Sequence, residues 1–232
     1  MLVRFIHIDD AFRRLESEEV HVWAAPLDRA CDLSLLIESE RERAARFKMD
    51  RIRNQFIAAR AQLRIVLGRY LDAAPTEVPI VYEPNGKPHL DPCLDCDLHF
   101  NLSHSETLAV FAVTRHGKVG VDVERRRAIP NAEALVERFF TSRERDVFMA
   151  LPESERLDAF FRAWTRKEAV LKAVGSGVQL LDQCDVTFCA DEPERVLRFG
   201  DDADACEKWL LRSWWPETGY DGAVAVQLSG SE

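Results

Sequence analysis

The sequence lacks the features that place a protein in a membrane or on nucleic acid. It contains no run of about 18 apolar residues, and its start at Met1 is not a basic patch followed by an apolar stretch. Positive charge is also in deficit, because the formal net charge is −9. That balance argues against non-specific nucleic-acid binding and against anionic membrane surfaces. We therefore expect a cytoplasmic protein with no nucleic-acid partner and no membrane partner.

Repeats and low-complexity tracts are absent at the sequence level as well. The chain has 232 residues, of which 47% are hydrophobic and 31% charged. This composition is typical of a globular protein with one large domain or two small ones. Its six cysteines favour free thiols over a disulfide framework.

Apolar periodicity predicts a mixture of helices and strands. Helices are expected over residues 38–71, 131–150 and 155–174, the last of them ended by Gly175. Residues 108–124 are predicted to form a β-hairpin, since two apolar runs flank a polar turn. Strands are expected near residues 78–82, 98–102, 108–114, 119–124, 185–190 and 223–228.

Two carboxylates share one face of the predicted strand 119–124. Asp122 and Glu124 are two residues apart, so their side chains point the same way from an otherwise apolar strand. Their repulsion and desolvation need compensation, which a hard cation such as Mg²⁺ supplies through oxygen ligands. The alternative is a strand exposed on that face, with both acids solvated.

A third carboxylate lies on the predicted helix 155–174. Glu168 and Lys172 are spaced as an i, i+4 pair, which on a surface contributes only about 0.2–0.5 kcal/mol. Two features favour a site instead. Lys167 falls on the apolar stripe, where an unpaired ammonium is unfavourable, and a Gly-x-Gly turn follows the helix. Such a helix could complete a metal site with the strand carboxylates and turn its lysines toward phosphate.

Other motifs are ambiguous when each is taken alone. His104 lies between Ser103 and Ser105 and could bind phosphate, act as a base or be a structural histidine. The turn at 84–88 holds Lys87 between two prolines.

Basic residues are concentrated in one segment of this acidic chain. Residues 41–69 contain nine basic side chains and only two acidic ones, which indicates either an anion site or a solvated helix face.

A compact series of metal-ligating residue types follows the 84–88 turn. These side chains suit zinc, but the spacing matches no common zinc pattern, and the acids and proline between them also fit a plain loop. The residues are His89, Cys93, Cys96 and His99.

Taken in order, these motifs resemble the Sfp-type 4′-phosphopantetheinyl transferase family. The resemblance spans roughly residues 40 to 180, and its most specific elements are Val119-Gly-Val-Asp-Val-Glu124 and Trp164-Thr-Arg-Lys-Glu-Ala-Val-Leu-Lys172. The supporting elements are Arg46, Phe56-Ile-Ala-Ala-Arg60, Gly86-Lys87-Pro88, Phe100-Asn-Leu-Ser-His-Ser105, Arg138-Phe-Phe-Thr-Ser-Arg-Glu144 and Gly175-Ser-Gly177.

The resemblance implies an α+β fold of two pseudo-symmetric halves with the active site in the cleft between them. Residues 1–117 would bind the coenzyme A nucleotide, and residues 118–232 would carry the metal ligands and the catalytic helix. The implied enzyme is a monomer that moves 4′-phosphopantetheine from coenzyme A to a serine of an acyl or peptidyl carrier protein. The reaction would release 3′,5′-ADP and serve fatty-acid, polyketide or nonribosomal peptide synthesis.

The resemblance also assigns roles to individual residues. Mg²⁺, or Mn²⁺, would be held by Asp122, Glu124 and Glu168. The catalytic residues would be Glu168, Lys172 and Asp122, with Glu168 as general base. The residues expected to contact coenzyme A are Arg46, Arg60, Gly86, Lys87, Pro88, Ser103, His104, Lys167 and Lys172.

Two other functions use the same residues differently. The acidic cluster would also suit another metal-dependent phosphotransferase or a nuclease, although the net charge counts against the latter. A non-enzymatic zinc or partner-binding module would need the four His and Cys residues of 89–99 to hold metal, with Asp122 and Glu124 merely solvated.

Overall fold

A computed structural model describes residues 1–83, 86–202 and 205–228 of the chain, so Pro84 and Asn85 of the predicted turn lie outside the described residues. The strands are β1 (Leu2–His7), β2 (Glu19–Pro26), β3 (Ile80–Tyr82), β4 (Pro88–Leu90), β5 (His99–Ser105), β6 (Leu108–Thr114), β7 (Lys118–Arg125), β8 (Cys184–Val186), β9 (Val196–Phe199), β10 (Trp209–Trp214) and β11 (Tyr220–Gln227). The helices are α1 (Glu38–Ala45), α2 (Asp50–Leu71), α3 (Ala132–Phe139), α4 (Ser142–Ala150), α5 (Glu153–Val174) and α6 (Ala205–Lys208).

Two of the three predicted helices are interrupted. The first divides into α1 and α2 where Met49 takes an extended conformation and the Phe47 ring packs 5.3 Å from Phe56. The second divides at Thr141, whose hydroxyl accepts the Glu144 backbone N–H while the Glu144 carboxylate accepts the Thr141 N–H. This Thr-x-x-Glu capping box is a start signal that apolar periodicity alone overlooks. The third prediction is confirmed as α5, which ends at Gly175 with a φ of 78°.

The prediction of a β-hairpin over residues 108–124 is wrong. Both of its strands exist, but β6 pairs with β2 and β5, whereas β7 pairs with β11 in another sheet. The chain changes sheet at Gly117, which has a φ of 76°. A Cβ there would lie 2.1 Å from the Gln227 carbonyl oxygen, so the turn is packed against the last strand and leads β7 away from β6.

The two halves repeat one order of elements. In the first half the sheet order is β1-β2-β6-β5, and in the second it is β10-β11-β7. Each half runs from a strand through short and long helices to a two-stranded sheet, β3-β4 or β8-β9, and then to an antiparallel strand pair. Without the extra β1, strands β2, β6 and β5 correspond to β7, β11 and β10. The predicted α+β fold with two similar halves is thereby confirmed.

Buried ion pairs occupy matching places in the two halves. Arg64 is the fifteenth residue of the 22-residue helix α2, and Lys167 is the fifteenth of the 22-residue helix α5. Each cation pairs with a glutamate that is the third residue of a short helix, Glu40 of α1 or Glu144 of α4. Both glutamates also accept the backbone N–H that precedes their helix. The repeat therefore extends to individual polar contacts in the core.

Helix α5 lies unusually close to strand β7. A Cβ on Gly120 would fall 2.0 Å from the Ala169 carbonyl oxygen and 2.4 Å from the Ala173 nitrogen, so only glycine allows this approach. The contact sets the distance between the side chains of α5 and those of β7. None of the helices in the described ranges is long and apolar enough to cross a membrane.

Candidate active site between the two halves

A polar seam joins β5 of the first half to β7 of the second. Ser103 donates to Asp122 Oδ1 at 2.8 Å, and Ser105 donates to Glu124 Oε2 at 2.9 Å. Asn101 accepts the backbone N–H of the residue before Asp122 at 3.0 Å. Ser103 and Ser105, two residues apart on β5, therefore hydrogen-bond the two carboxylates of β7, which lie on one face as the strand pattern predicts.

Helix α5 brings a cation to the same point. The Lys172 ammonium donates to Asp122 Oδ1 at 2.6 Å and to Ser103 Oγ at 2.8 Å. Asp122 is buried, with 3% of its surface exposed, so this pair is largely shielded from water. The structure thus unites Ser103, Asp122 and Lys172, which are far apart in sequence and come from both halves.

The carboxylates influence one another electrostatically. Desolvation, together with the charge of Asp122, raises the pKa of Glu168 to about 7. Desolvation and the same neighbour raise the pKa of Glu124 above its ordinary range. Negative charge on Glu168 is therefore disfavoured unless a cation joins the three acids, and at neutral pH this carboxyl can either accept or release a proton.

The donor set suits a hard divalent cation. Asp122 Oδ2 is buried and has no hydrogen-bond partner among the described residues, so it is a free oxygen ligand. Glu124 and Glu168 add carboxylate oxygens, the ligand type that Mg²⁺ prefers. Within the described ranges, no three His, Cys, Asp or Glu side chains are yet gathered as closely as a metal site requires, and Lys172 neutralises Asp122 instead. The carboxylate ligands and the buried Asp122 Oδ2 therefore fit a hard divalent cation, which would draw the three acids together.

A cleft of about 660 Å³ opens beside the carboxylates. Arg60 lies in it between two aromatic rings, with its guanidinium carbon 5.4 Å from the centre of Phe56 and 5.3 Å from that of Tyr82. Its Nη1 is buried without a hydrogen-bond partner among the described residues, and so is the hydroxyl of Ser176, which also lines the cleft. A held, unpartnered guanidinium is a ready site for a phosphate.

His104 is exposed at the rim of this cleft. Partial desolvation, then the nearby charges of Lys172 and Arg60, lower the pKa of its imidazole. The neutral ring can offer a hydrogen bond to an anion, and protonation becomes favourable once an anion balances the two cations.

The turn of Gly86, Lys87 and Pro88 also lines the cleft. The Lys87 ammonium donates to the Lys172 carbonyl oxygen at 2.7 Å and to the Ala173 carbonyl oxygen at 3.2 Å. It therefore satisfies carbonyl groups at the C-terminal end of α5, where positive charge is stabilising. The turn reaches from the first half to the helix that carries Lys172.

Two residues expected to contact coenzyme A are not brought into the cleft. Lys167 is fully buried, where it forms an ion pair with Glu144 and donates to the Cys184 carbonyl oxygen at 2.6 Å. Lys167 is not among the residues that line the cleft, so the expected phosphate contact is corrected to an ion pair with Glu144. Arg46 is exposed at the C-terminus of α1 and is not among the residues that line the cleft.

The compact His and Cys series does not form a metal cluster in the described part of the chain. Cys93 and Cys96 are exposed free thiols, and the Nδ1 atom of His89 is 2.9 Å from the Leu90 carbonyl oxygen.

Sequence reasoning missed several residues that hold the site together. Asn101 and Ser105 alternate with Ser103 on β5, and this period of two was the available signal. Glu144 stands three residues after Thr141, so its capping box was visible, although its pairing with Lys167 was not. Tyr82 carried no signal, because only the fold places its ring over Arg60.

Comparison with known proteins identifies the relationship. The sequence model of the 4′-phosphopantetheinyl transferase superfamily matches residues 118–225, and that of the 4′-phosphopantetheinyl transferase N-terminal region matches residues 23–116. The chain is 38% identical to the 4′-phosphopantetheinyl transferase HetI of Nostoc sp. over 218 residues, covering 91% of this chain and 89% of HetI. It is 28% identical to Sfp of Bacillus subtilis, covering 84% and 83% of the two chains. It is 32% identical to AcpT of Escherichia coli K12, covering 59% and 65%. Because the two family models together cover most of the chain and HetI is matched over 89% of its length, the chain belongs to the 4′-phosphopantetheinyl transferase family.

Proposed function

We propose that this chain transfers the 4′-phosphopantetheine group from coenzyme A to a serine of an acyl or peptidyl carrier protein and releases 3′,5′-ADP. The observation that carries the proposal is the contact of Lys172 with Asp122 and Ser103 beside a cleft in which Arg60 Nη1 has no hydrogen-bond partner among the described residues. Cationic groups thus line the places where a pyrophosphate and a separate phosphate would lie. Both halves that form the cleft are in one chain, which supports action as a monomer.

The side chains divide the chemical work. Glu168 would take the proton of the attacking serine hydroxyl, directly or through a water, because its carboxyl group lies beside Asp122 and Lys172 in the reactive centre. Lys172 would stabilise the negative charge that develops on the phosphate oxygens as the bond to 3′,5′-ADP breaks. Ser103 would keep Lys172 and Asp122 in position through the hydrogen bonds that it makes with both.

Asp122, Glu124 and Glu168 would hold Mg²⁺ or Mn²⁺. Such an ion, when bound, neutralises charge on the pyrophosphate oxygens. The buried Oδ2 of Asp122, which no group in the described part of the chain hydrogen-bonds, supports this assignment.

Arg60 would bind the 3′-phosphate of coenzyme A, with His104 beside it. We expect Arg60→Met to raise the KM for coenzyme A by about tenfold to a hundredfold, since a charged hydrogen bond of about 1.5–3 kcal/mol is lost. Dephospho-coenzyme A, which lacks only the 3′-phosphate, should show nearly the same KM with the variant and the wild type. An equal increase in KM for coenzyme A and for dephospho-coenzyme A would show that Arg60 does not bind the 3′-phosphate.

Mass spectrometry of the intact carrier protein tests the activity directly. An apo carrier incubated with this protein, coenzyme A and Mg²⁺ should gain the mass of one phosphopantetheine. The gain should disappear with EDTA and with Asp122→Ala. If a panel of fatty-acid, polyketide and peptide-synthetase carriers shows no gain while calorimetry detects no coenzyme A binding, the proposed function is wrong.

A further inference from the structure

A column of alternating cationic and aromatic side chains adjoins the nucleotide cleft. The guanidinium carbon of Arg43 is 5.3 Å from the centre of the Phe56 ring, and that of Arg60 is 5.4 Å from the same centre. Phe56 and Arg60 are one turn apart on α2, so their side chains share one face of the helix. The Tyr82 ring of β3 completes the column, with its centre 5.3 Å from the guanidinium carbon of Arg60.

The two rings hold Arg60 without using its hydrogen-bond donors. Arg64, one turn further along α2, shows the other way of fixing a buried guanidinium, since it pairs with the Glu40 carboxylate and donates to backbone carbonyl groups. Arg60 forms no ion pair within the described ranges, and its Nη1 atom is buried there without a hydrogen-bond partner. A cation–π contact uses the face of the aromatic ring, so the N–H groups of Arg60 are left for a ligand.

Positive charge around Arg60 is incompletely balanced by the chain. Burial lowers the pKa of the Arg60 guanidinium, and the charges of Arg43 and Arg64 act in the same direction. The Glu40 carboxylate opposes this shift, but it is already paired with Arg64. Burial raises the pKa of the Tyr82 hydroxyl, so the phenol stays neutral and adds no negative charge. A dianion would offset the excess, which favours a phosphate monoester over a diester with a single charge.

Tyr82 is placed by the pair of strands whose connecting turn lines the cleft. It lies opposite Pro88 in the pairing of β3 with β4, and the Glu83 backbone N–H donates to the Lys87 carbonyl oxygen at 2.9 Å. Lys87 and Pro88 line the cleft, whereas Tyr82 does not. The Tyr82 ring would therefore act on a bound nucleotide through Arg60.

We propose that Tyr82 and Phe56 are positioning residues that give this chain its selectivity for a nucleotide with a phosphate monoester. By fixing the Arg60 guanidinium at the cleft, they favour coenzyme A, which carries this group at its 3′ position, over dephospho-coenzyme A, which lacks it. The inference rests on the proposed function, in which Arg60 binds the 3′-phosphate. It deepens that function by naming the side chains that set the selectivity for the donor.

Calorimetric binding of the two nucleotides, measured without a carrier protein, tests the inference. Tyr82→Leu should raise the Kd for coenzyme A by about fivefold to tenfold, because Arg60 loses a cation–π contact and must be ordered by the phosphate itself. The Kd for dephospho-coenzyme A should stay within about twofold, because this nucleotide presents no phosphate to Arg60. Tyr82→Phe keeps the ring and should retain the wild-type ratio of the two Kd values.

Phe12→Leu is the matched control for Tyr82→Leu. Phe12 is an aromatic residue of the same half with similar exposure, 42% against 38% for Tyr82, and it stacks on Tyr70 away from the cleft. Its replacement should leave both Kd values unchanged.

A double-mutant cycle separates positioning from a general structural role. In the Arg60→Met background, Tyr82→Leu should change the Kd for coenzyme A by less than about twofold, because two residues that act through one contact are not additive. An equal rise of both Kd values in Tyr82→Leu would overturn the inference, and so would the same loss of selectivity in Tyr82→Phe.

The wild type distinguishes this inference from the proposed function. Equal affinity of the wild type for the two nucleotides would overturn both the inference and the role assigned to Arg60. A wild type that discriminates between the nucleotides but modifies no carrier would overturn the transferase function alone, and the nucleotide selectivity would stand.

Discussion

Replacing Glu168 by glutamine is expected to lower kcat by at least about a hundredfold, because general-base catalysis typically contributes two to four orders of magnitude. The amide keeps the size of the side chain but cannot accept the serine proton. Affinity for coenzyme A should fall far less than kcat, since the glutamine oxygen can still face the cation and the residues that line the nucleotide cleft are unchanged. Single-turnover kinetics combined with calorimetry of coenzyme A binding measure the two quantities separately.

The same helix offers a control for Glu168→Gln. Glu155 lies exposed in the first turn of α5, so Glu155→Gln makes the same chemical change far from the carboxylates and should leave kcat unaltered. Equal losses of turnover and of coenzyme A affinity in Glu168→Gln would contradict the base role. Glu168 would then act only as a ligand of the cation.

Replacing Lys167 by methionine is expected to lower the free energy of unfolding by about 3–5 kcal/mol, the usual result of removing one partner of a buried ion pair. Both side chains of the Lys167–Glu144 pair are fully buried, so the variant leaves a carboxylate that water cannot solvate. The melting temperature should fall by roughly 10 °C for a domain of this size. Urea denaturation followed by circular dichroism measures the change.

The pH dependence of this variant has a definite sign. Burial raises the pKa of Glu144 above its ordinary value even beside Lys167. A carboxyl with a folded-state pKa above its unfolded one binds more protons in the native state, so stability increases as the pH falls toward the raised pKa. The deficit of Lys167→Met relative to the wild type should therefore shrink in mildly acidic buffer.

Two companion variants separate the ion pair from simple packing. Adding Glu144→Gln to Lys167→Met removes the uncompensated charge and should recover at least about 1 kcal/mol, a coupling typical of contacting residues. Arg64→Met breaks the matching pair with Glu40 and should show a loss of similar size. A loss below about 1 kcal/mol in Lys167→Met would mean that water reaches Glu144 and that the pair contributes as little as a surface pair.

The local sequence pattern was sufficient to predict the strand and the helix that carry the carboxylates and Lys172. The period of two put Asp122 and Glu124 on one face of a strand, and the helical period put Glu168 and Lys172 on a helix that ends at Gly175. These features depend on neighbours along the chain. The family resemblance then supplied the roles of residues that the fold later brought together.

Errors arose where a partner lies far along the chain. Strand β7 pairs with β11, about a hundred residues later, and no pattern within residues 108–124 indicates that choice. Lys167 was assigned to phosphate because an unpaired ammonium on an apolar stripe needs an anion. That physical expectation was sound, but the anion is Glu144, 23 residues away in sequence, and not a substrate.

The matching ion pairs also align the two long helices residue by residue. With Arg64 set against Lys167, Glu168 falls opposite Ile65, and Lys172 falls opposite Arg69, whose guanidinium stacks on Trp23 at 5.7 Å. The first half thus lacks the acid that would make a second centre. A symmetric dimer of identical units would present two equivalent sites that could influence each other. In this chain the acid that corresponds to Glu168 is present in only one of the two similar halves. If the proposed function holds, we expect one donor nucleotide to bind per chain, with a hyperbolic saturation curve.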